Sequence, residues 1–297
     1  MHKLITILMI AATACDTTVD PATLIARDRV LGAKVTVGAD ATRAWPRPGE
    51  TATVTWVSAS PGPAPTFSWI LAACPAATNS GAPTCAGPVF ATSQTSGTAP
   101  ALQLAIPDEV ETDSIVVLGA ICASGAPVVE ATFAASCDDG SLVDRVSLHI
   151  FVAHDEATNH NPDIADAPFT IAGATWAAPE GIGCRGTLPE VTAGPAQTVL
   201  GVAFAAADRE TFAVTGDPTP HREELQLSAF TTAGELIQQF AYAEADDTRP
   251  RSQLTFAWKT PSTSEIPDDG LPVTFTFVVR DLRGGLDATT RELCVVK

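Results

Sequence analysis

The chain has 297 residues, 45% of them hydrophobic and 17% charged, with 17 Lys+Arg against 34 Asp+Glu and a formal net charge of −17. A chain this apolar and this sparsely charged is not disordered throughout, and one this acidic lacks the basic face with which a nucleic-acid binder neutralises phosphates. At about 100–200 residues per domain, the length fits one large domain or two ordinary ones.

The chain begins with the short positive start Met1-His2-Lys3, followed by an apolar run from Leu4 to Ala14. That run is too short to span a bilayer, which takes about 20 residues. Ala12-Thr13-Ala14 is a small-residue cleavage site, so residues 1–14 read as a signal peptide. Cleavage there leaves Cys15 first. This is the arrangement of a bacterial lipoprotein, in which the cysteine thiol carries a lipid; the signal resembles a lipobox, with Ala12 where the usual leucine stands. The implied location is the cell envelope, lipid-anchored through Cys15 and facing the periplasm or the surface. Asp16 follows, and in some bacteria an acidic residue there retains a lipoprotein in the inner membrane, which leaves inner against outer membrane open. Residues 15–27 read as the tether. No second long apolar run follows, so no transmembrane helix is expected.

Seven cysteines stand at 15, 74, 85, 122, 137, 184 and 294. Lipidation of Cys15 leaves six, an even number suited to an oxidising compartment. Sequence proximity favours Cys74–Cys85 and Cys122–Cys137, which leaves Cys184–Cys294 to close a long loop. Cross-pairing of Cys74 and Cys85 with Cys122 and Cys137 remains open. There is no C-x-x-C, so a thiolate metal site is not expected.

From Arg29 onward the pattern is β. Ala52, Val54 and Trp56 alternate with threonines, and Leu225 and Leu227 alternate with Glu224, Gln226 and Ser228. Leu254, Phe256 and Trp258 repeat the device, as do Val273, Phe275, Phe277 and Val279. Period-two alternation puts one face on a core and the other in water. Turn signals such as Pro46-Arg47-Pro48-Gly49, Asp138-Asp139-Gly140 and Asp268-Asp269-Gly270 fall at intervals that suit short antiparallel strands. No segment carries a convincing helical stripe. Residues 74–99 read as a long loop pinned by a disulfide. A polar stretch ending at Pro162 marks a boundary near residue 155. The predicted organisation is an all-β chain of two tandem antiparallel sandwiches, 28–155 and 167–297, joined by a linker at 156–166.

Several of these segments resemble a known family. Arg29–Ala33 followed by Arg47-Pro48-Gly49-Glu50-Thr51-Ala52-Thr53-Val54 resembles the opening of the first immunoglobulin-like domain in myxobacterial-type lipoproteins. Phe67-Ser68-Trp69 resembles the next strand with its core tryptophan, and Asn159-His160-Asn161-Pro162 the junction before a second domain. Residues 277–287 resemble the close of bacterial Ig-like or PKD-like domains, where a strand, a D-x-R-G-G turn and a last strand follow in order. The resemblance covers most of 28–297 and implies fold and location rather than activity.

Among residues that could carry chemistry, Asp155, Glu156, Asn159, Asn161, Asp163 and Asp166 supply hard oxygens within one short stretch, and calcium takes six to eight such ligands. The stretch faintly resembles the cadherin interdomain linker but lacks its D-x-N-D-N string; the plainer reading is a solvated hinge. A zinc reading of His149, His154 and His160 fails on strand parity, since His149 and His154 would face opposite ways. Gly181–Gly186 matches G-x-G-x-x-G without the flanking strand and helix that a dinucleotide site needs, and reads as a turn. No nucleophile elbow or P-loop occurs. Paired aspartates fall at turns, where their side chains bond local backbone. Trp56 and Trp258 read as core, and Trp45 as exposed. The leading reading is a non-enzymatic envelope lipoprotein that binds an envelope protein or glycan, or acts as a scaffold. The alternatives are a calcium-stiffened adhesin and an envelope hydrolase with a loop-built site.

Overall fold

The computed structural model describes residues 20–77, 83–109, 113–130, 134–154, 158–178, 183–184, 188–214 and 217–297. The expected signal peptide, Cys15, Asp155 and Glu156 lie outside these, as do Gly181, Ile182, Arg185 and Gly186.

The first half of the chain lays down β1 (Arg29–Val37), β2 (Thr51–Ala59), β3 (Phe67–Pro75), β4 (Ala91–Gly97), β5 (Ala101–Ala105), β6 (Ser114–Cys122), β7 (Pro127–Val129), β8 (Ala135–Cys137) and β9 (Val143–Phe151). They form a sheet in the order β1-β2-β5, a facing sheet β4-β3-β6-β9 and the small hairpin β7-β8, all antiparallel. Alternation does what it should here: Ala52, Val54 and Trp56 are buried while Thr51 is exposed and Thr53 and Thr55 are half-buried. Their inward face meets Phe67, Trp69 and Leu71 of β3 and Ile115, Val117 and Ile121 of β6 in one core. Three strands packed on four in this order make an immunoglobulin-like sandwich.

The second half supplies β10 (Phe169–Ile171), β11 (Ala174–Thr175), β12 (Glu190–Thr192), β13 (Gln197–Ala205), β14 (Thr211–Val214), β15 (Asp217–Arg222), β16 (Leu225–Thr231), β17 (Glu235–Leu236), β18 (Phe240–Ala243), β19 (Arg251–Lys259), β20 (Leu271–Arg280) and β21 (Leu286–Val296). Five strands in the order β11-β10-β13-β19-β17 face five in the order β12-β21-β20-β16-β18. The pairing is antiparallel except where β12 runs parallel to β21. The hairpin β14-β15 stands apart as an insertion between β13 and β16. Aromatic rings fill this core. Trp258 and Trp176 meet Phe275 edge-on at 5.0 and 5.4 Å, the geometry their quadrupoles favour. Each indole N–H finds a backbone acceptor, Ala233 at 3.1 Å and Glu292 at 2.9 Å.

The disulfides are Cys74–Cys85, Cys122–Cys137 and Cys184–Cys294, so the cross-paired alternative does not occur. The tether is shorter than expected. Leu24 bridges to Thr231 in parallel, and the Ile25 N–H donates to the Thr231 carbonyl at 2.8 Å. Ile25 is only 1% exposed. One apolar pair in a polar leader is too short a pattern to read as an element, yet it suffices to dock the chain on the second sandwich.

The three disulfides close loops of very different length, with sequence separations of 11, 15 and 110. By chain entropy a 15-residue loop contributes about 3 kcal/mol and a 100-residue loop about 4.7. Replacing both Cys184 and Cys294 by Ala is expected to lower the urea unfolding midpoint more than the same change at either other bridge.

Candidate functional site: the junction between the sandwiches

Among the described residues, two contact zones join the halves, and the first is apolar. Ile25 and Leu31 pack with Phe230, Val278 and Leu286, with Val57, Ala59 and Ala288 at the margin. The outer faces of β1 and β2 thus lie on the outer face of β16-β20-β21. Val278, on the side of β20 that alternation assigns to solvent, is fully buried. The run Phe277-Val278-Val279 carried that signal, because a strand buried on both faces reads as continuously apolar. Close approach needs Gly32, where a Cβ would lie 2.6 Å from Leu286 Cδ1. The pairing of β1 with β2 slips at this point, between Val30 and Gly32. Arg280 Nη2 donates to the Leu31 carbonyl at 2.6 Å, and Lys34 pairs with Asp287 at 2.7 Å.

The second zone is polar and centres on the turn 281–285 between β20 and β21. Asp281 Oδ1 accepts from the backbone N–H groups of Arg283 at 2.7 Å and Gly285 at 2.8 Å. Its Oδ2 accepts from Asn159 Nδ2. Gly285 has no room for a side chain, since a Cβ would collide with Asp281 Oδ2 and lie 2.8 Å from the His160 carbonyl. Asn161 is the second pin. Its Nδ2 donates to the Val35 carbonyl of the first sandwich at 2.7 Å, while its Oδ1 accepts from the Leu286 N–H of the second at 3.0 Å. The backbone between them lies against residues 42–44, with the Ala44 N–H donating to the Asn159 carbonyl at 2.8 Å.

Arg283 closes this zone. Its guanidinium sits 4.0 Å from the Phe212 ring centroid and 4.9 Å from that of Trp45, a cation held between two aromatic faces. Nη1 pairs with Glu210 at 3.1 Å and Nη2 donates to the Thr158 carbonyl at 3.2 Å. Glu210 also pairs with His160 Nδ1. Trp45 is half-buried rather than exposed; its Nε1–H donates to the Arg283 carbonyl at 2.8 Å, and its ring meets Phe151 at 5.7 Å.

Beneath Arg283 lies Glu223, 1% exposed, whose Oε1 has no hydrogen-bond partner among the described residues. Burial, then the negative charge of Asp281, pushes its carboxyl up to about 8, with Glu210 adding to the repulsion. Arg209, also buried, spends its guanidinium on the carbonyls of Glu223, Ala243 and Glu244. Asn159 Oδ1 is a second buried oxygen without a partner among the described residues.

Of the six residues expected to offer calcium ligands, four are described. Asn159 and Asn161 are buried pins between the sandwiches. Asp163 and Asp166 are exposed, and Asp163 Oδ1 accepts from the Ala165 N–H at 3.0 Å in a local turn. No group of three His, Cys, Asp or Glu among the described residues is arranged to hold a metal ion. His149 is exposed on β9, and His154 lies 3.6 Å from Asp113, away from His160. The roles of Glu210, Glu223, Asp281 and Arg283 were not foreseen. Asp281 and Arg283 share the turn after β20, while Glu210 and Glu223 flank the hairpin β14-β15, and the three segments meet only in the fold. Chemically the zone is a joint: its central carboxylates are shielded from solvent, and His160 bonds a carboxylate rather than a hydroxyl or thiol.

No family model and no curated protein matches the sequence. Among solved structures, the native conformation of E. coli alpha-2-macroglobulin aligns with 89% of this chain at 9% identity and a TM-score of 0.23. The chain spans 17% of that protein's length. No helix among the described residues is long and apolar enough to cross a membrane.

The buried Glu223 sets a pH dependence. Below its usual value of 4.5 the carboxyl is protonated in folded and unfolded chains alike and has no effect. As pH rises from there to about 8, the unfolded chain releases the proton and the folded one keeps it, so stability falls across that window. Glu223→Gln is expected to match the parent near pH 4 and to exceed it in thermal midpoint by a margin that grows up to about pH 8. Melts across that range check it.

Proposed function

We propose that the chain is a non-enzymatic module of the bacterial cell envelope, lipid-anchored at Cys15, that presents two immunoglobulin-like sandwiches as one rigid body for binding or scaffolding. The observation that carries this reading is the junction. It buries an apolar seam and a polar clasp of Asn159, Asn161, Asp281 and Arg283, so its chemistry is spent on holding the halves together rather than on a substrate. The leader supports the anchor. Thr23 already bonds Thr231, and the eight steps from Cys15 to Thr23 reach about 29 Å at most. A lipid on Cys15 would therefore hold the second sandwich close to the bilayer. The excess of negative charge keeps such a module from anionic surfaces and favours solubility.

The test is detergent-phase partitioning of the full chain expressed in a bacterial host, with mass spectrometry of its mature N-terminus. The parent is expected in the detergent phase with acyl mass on Cys15, and Cys15→Ala in the aqueous phase. A parent that stays aqueous with an unmodified Cys15 would overturn the anchored reading.

A further inference from the structure

A sheet edge left bare is a template for another strand, and proteins blunt such edges by keeping them short, bulged, charged or covered. Most edges here are blunted: β11 and β17 have two residues each, β12 three, β18 four and β5 five. The seven residues of β4 are mostly Ser, Thr and Gln. β1 is nine residues long, but it is bulged and lies beside the second sandwich. β9 is the least blunted, although it carries Asp144, Arg145 and His149 and is met at Asp144 by Arg27 and the Val30 N–H. It runs nine residues, pairs with β6 without a register shift, contains no Pro or Lys, and carries no strand on its other side among the described residues.

That free edge borders a cleft of about 580 Å³ between β9, β1 and the turn that ends β20, a size typical of ligand sites. Exposed apolar side chains stand at the rim of the cleft and at both ends of the strand. Leu282 adopts φ +59°, which strains a side chain with a Cβ, and remains 56% exposed at the rim. Leu142, one residue before the strand, is 67% exposed, and Phe151 at its far end 44%. The cleft is also locally basic in a chain of charge −17. Among the described residues, Arg145 bonds only the Ala135 carbonyl, and Arg280 only the Leu31 carbonyl and the Ser228 hydroxyl. Neither has a carboxylate partner among the described residues, whereas Asp144 is already taken by Arg27 and the Val30 N–H.

We propose that β9 is a strand-addition site for an extended, proline-free segment of another protein that carries both apolar and acidic side chains. Main-chain hydrogen bonds to the open edge would supply the bulk of the affinity. Leu142, Leu282 and Phe151 would take the apolar side chains, and Arg145 and Arg280 the carboxylates. A second copy of this chain is disfavoured by the repulsion between two bodies of the same large charge. This inference rests on the reading of the chain as a binding module and names the class of its partner.

The test is panning a phage-displayed nonapeptide library on the oxidised full chain, then titrating the best synthetic peptide while following amide exchange in β9. Enriched sequences are expected to lack proline and to combine apolar with acidic residues. The peptide should slow exchange along β9, and N-methylation of one set of its alternate amides should weaken it at least tenfold. Arg145→Glu should weaken the acidic peptide at least tenfold and spare its lysine-substituted counterpart. No enrichment, equal binding of the methylated peptide, or protection away from β9 would overturn the proposal. So would dimerisation of the full chain through β9, seen by sedimentation, which would make the occupant a second copy. A chain that is lipidated but enriches no peptide sinks only the strand-addition site. A chain that enriches the peptide without lipid on Cys15 sinks only the anchored reading.

Discussion

The arrangement of the whole molecule depends on Asp281. A carboxylate that is 1% exposed is tolerated only if its oxygens are met by donors. Here the donors come from its own turn, through Arg283 and Gly285, and from Asn159 in the connecting segment. The turn is thereby shaped so that Arg283 reaches Phe212, Trp45, Glu210 and Thr158 together. Each net hydrogen bond is worth about 1 kcal/mol, but leaving a buried charge without its partner costs about 3–5 kcal/mol. The clasp is therefore closed or broken as a unit.

The apolar seam does the complementary work. Burying Ile25, Leu31, Phe230, Val278 and Leu286 supplies non-directional attraction between the sandwiches. The polar zone then selects one register, because Asn161 bonds one sandwich with its nitrogen and the other with its oxygen. Glu223 opposes this fit. Its buried carboxyl sits near Asp281 and Glu210 and keeps its proton to about pH 8, so the joint is tighter in mildly acidic surroundings than in alkaline ones.

Much of the architecture was legible in the residues themselves. The alternation at Ala52, Val54 and Trp56, and at Leu254, Phe256 and Trp258, marked the inward faces of strands that are buried as expected. Nearness in sequence favoured two of the disulfides, and the third was the pair that remained. The stretch 156–166 read as a linker, and the chemistry of Asn159 and Asn161 was not visible in it. Asn159 and Asn161 look like oxygen ligands because nothing near them in sequence shows that Asp281, Val35 and Leu286 use their amides. Arg283 finds Glu210 across 73 positions and Trp45 across 238; no local pattern encodes such a meeting. Ile25 was passed over because one buried residue in a polar leader has no period.

The most direct measurement is the distance distribution between spin labels at the exposed positions Gln94 and Gln253, one on each sandwich, recorded for the oxidised chain with calcium and with EDTA. A joint made by protein contacts alone predicts a single narrow distance in both, broadened by Arg283→Ala. A broad distribution in the parent, or one that narrows only when calcium is added, would contradict it.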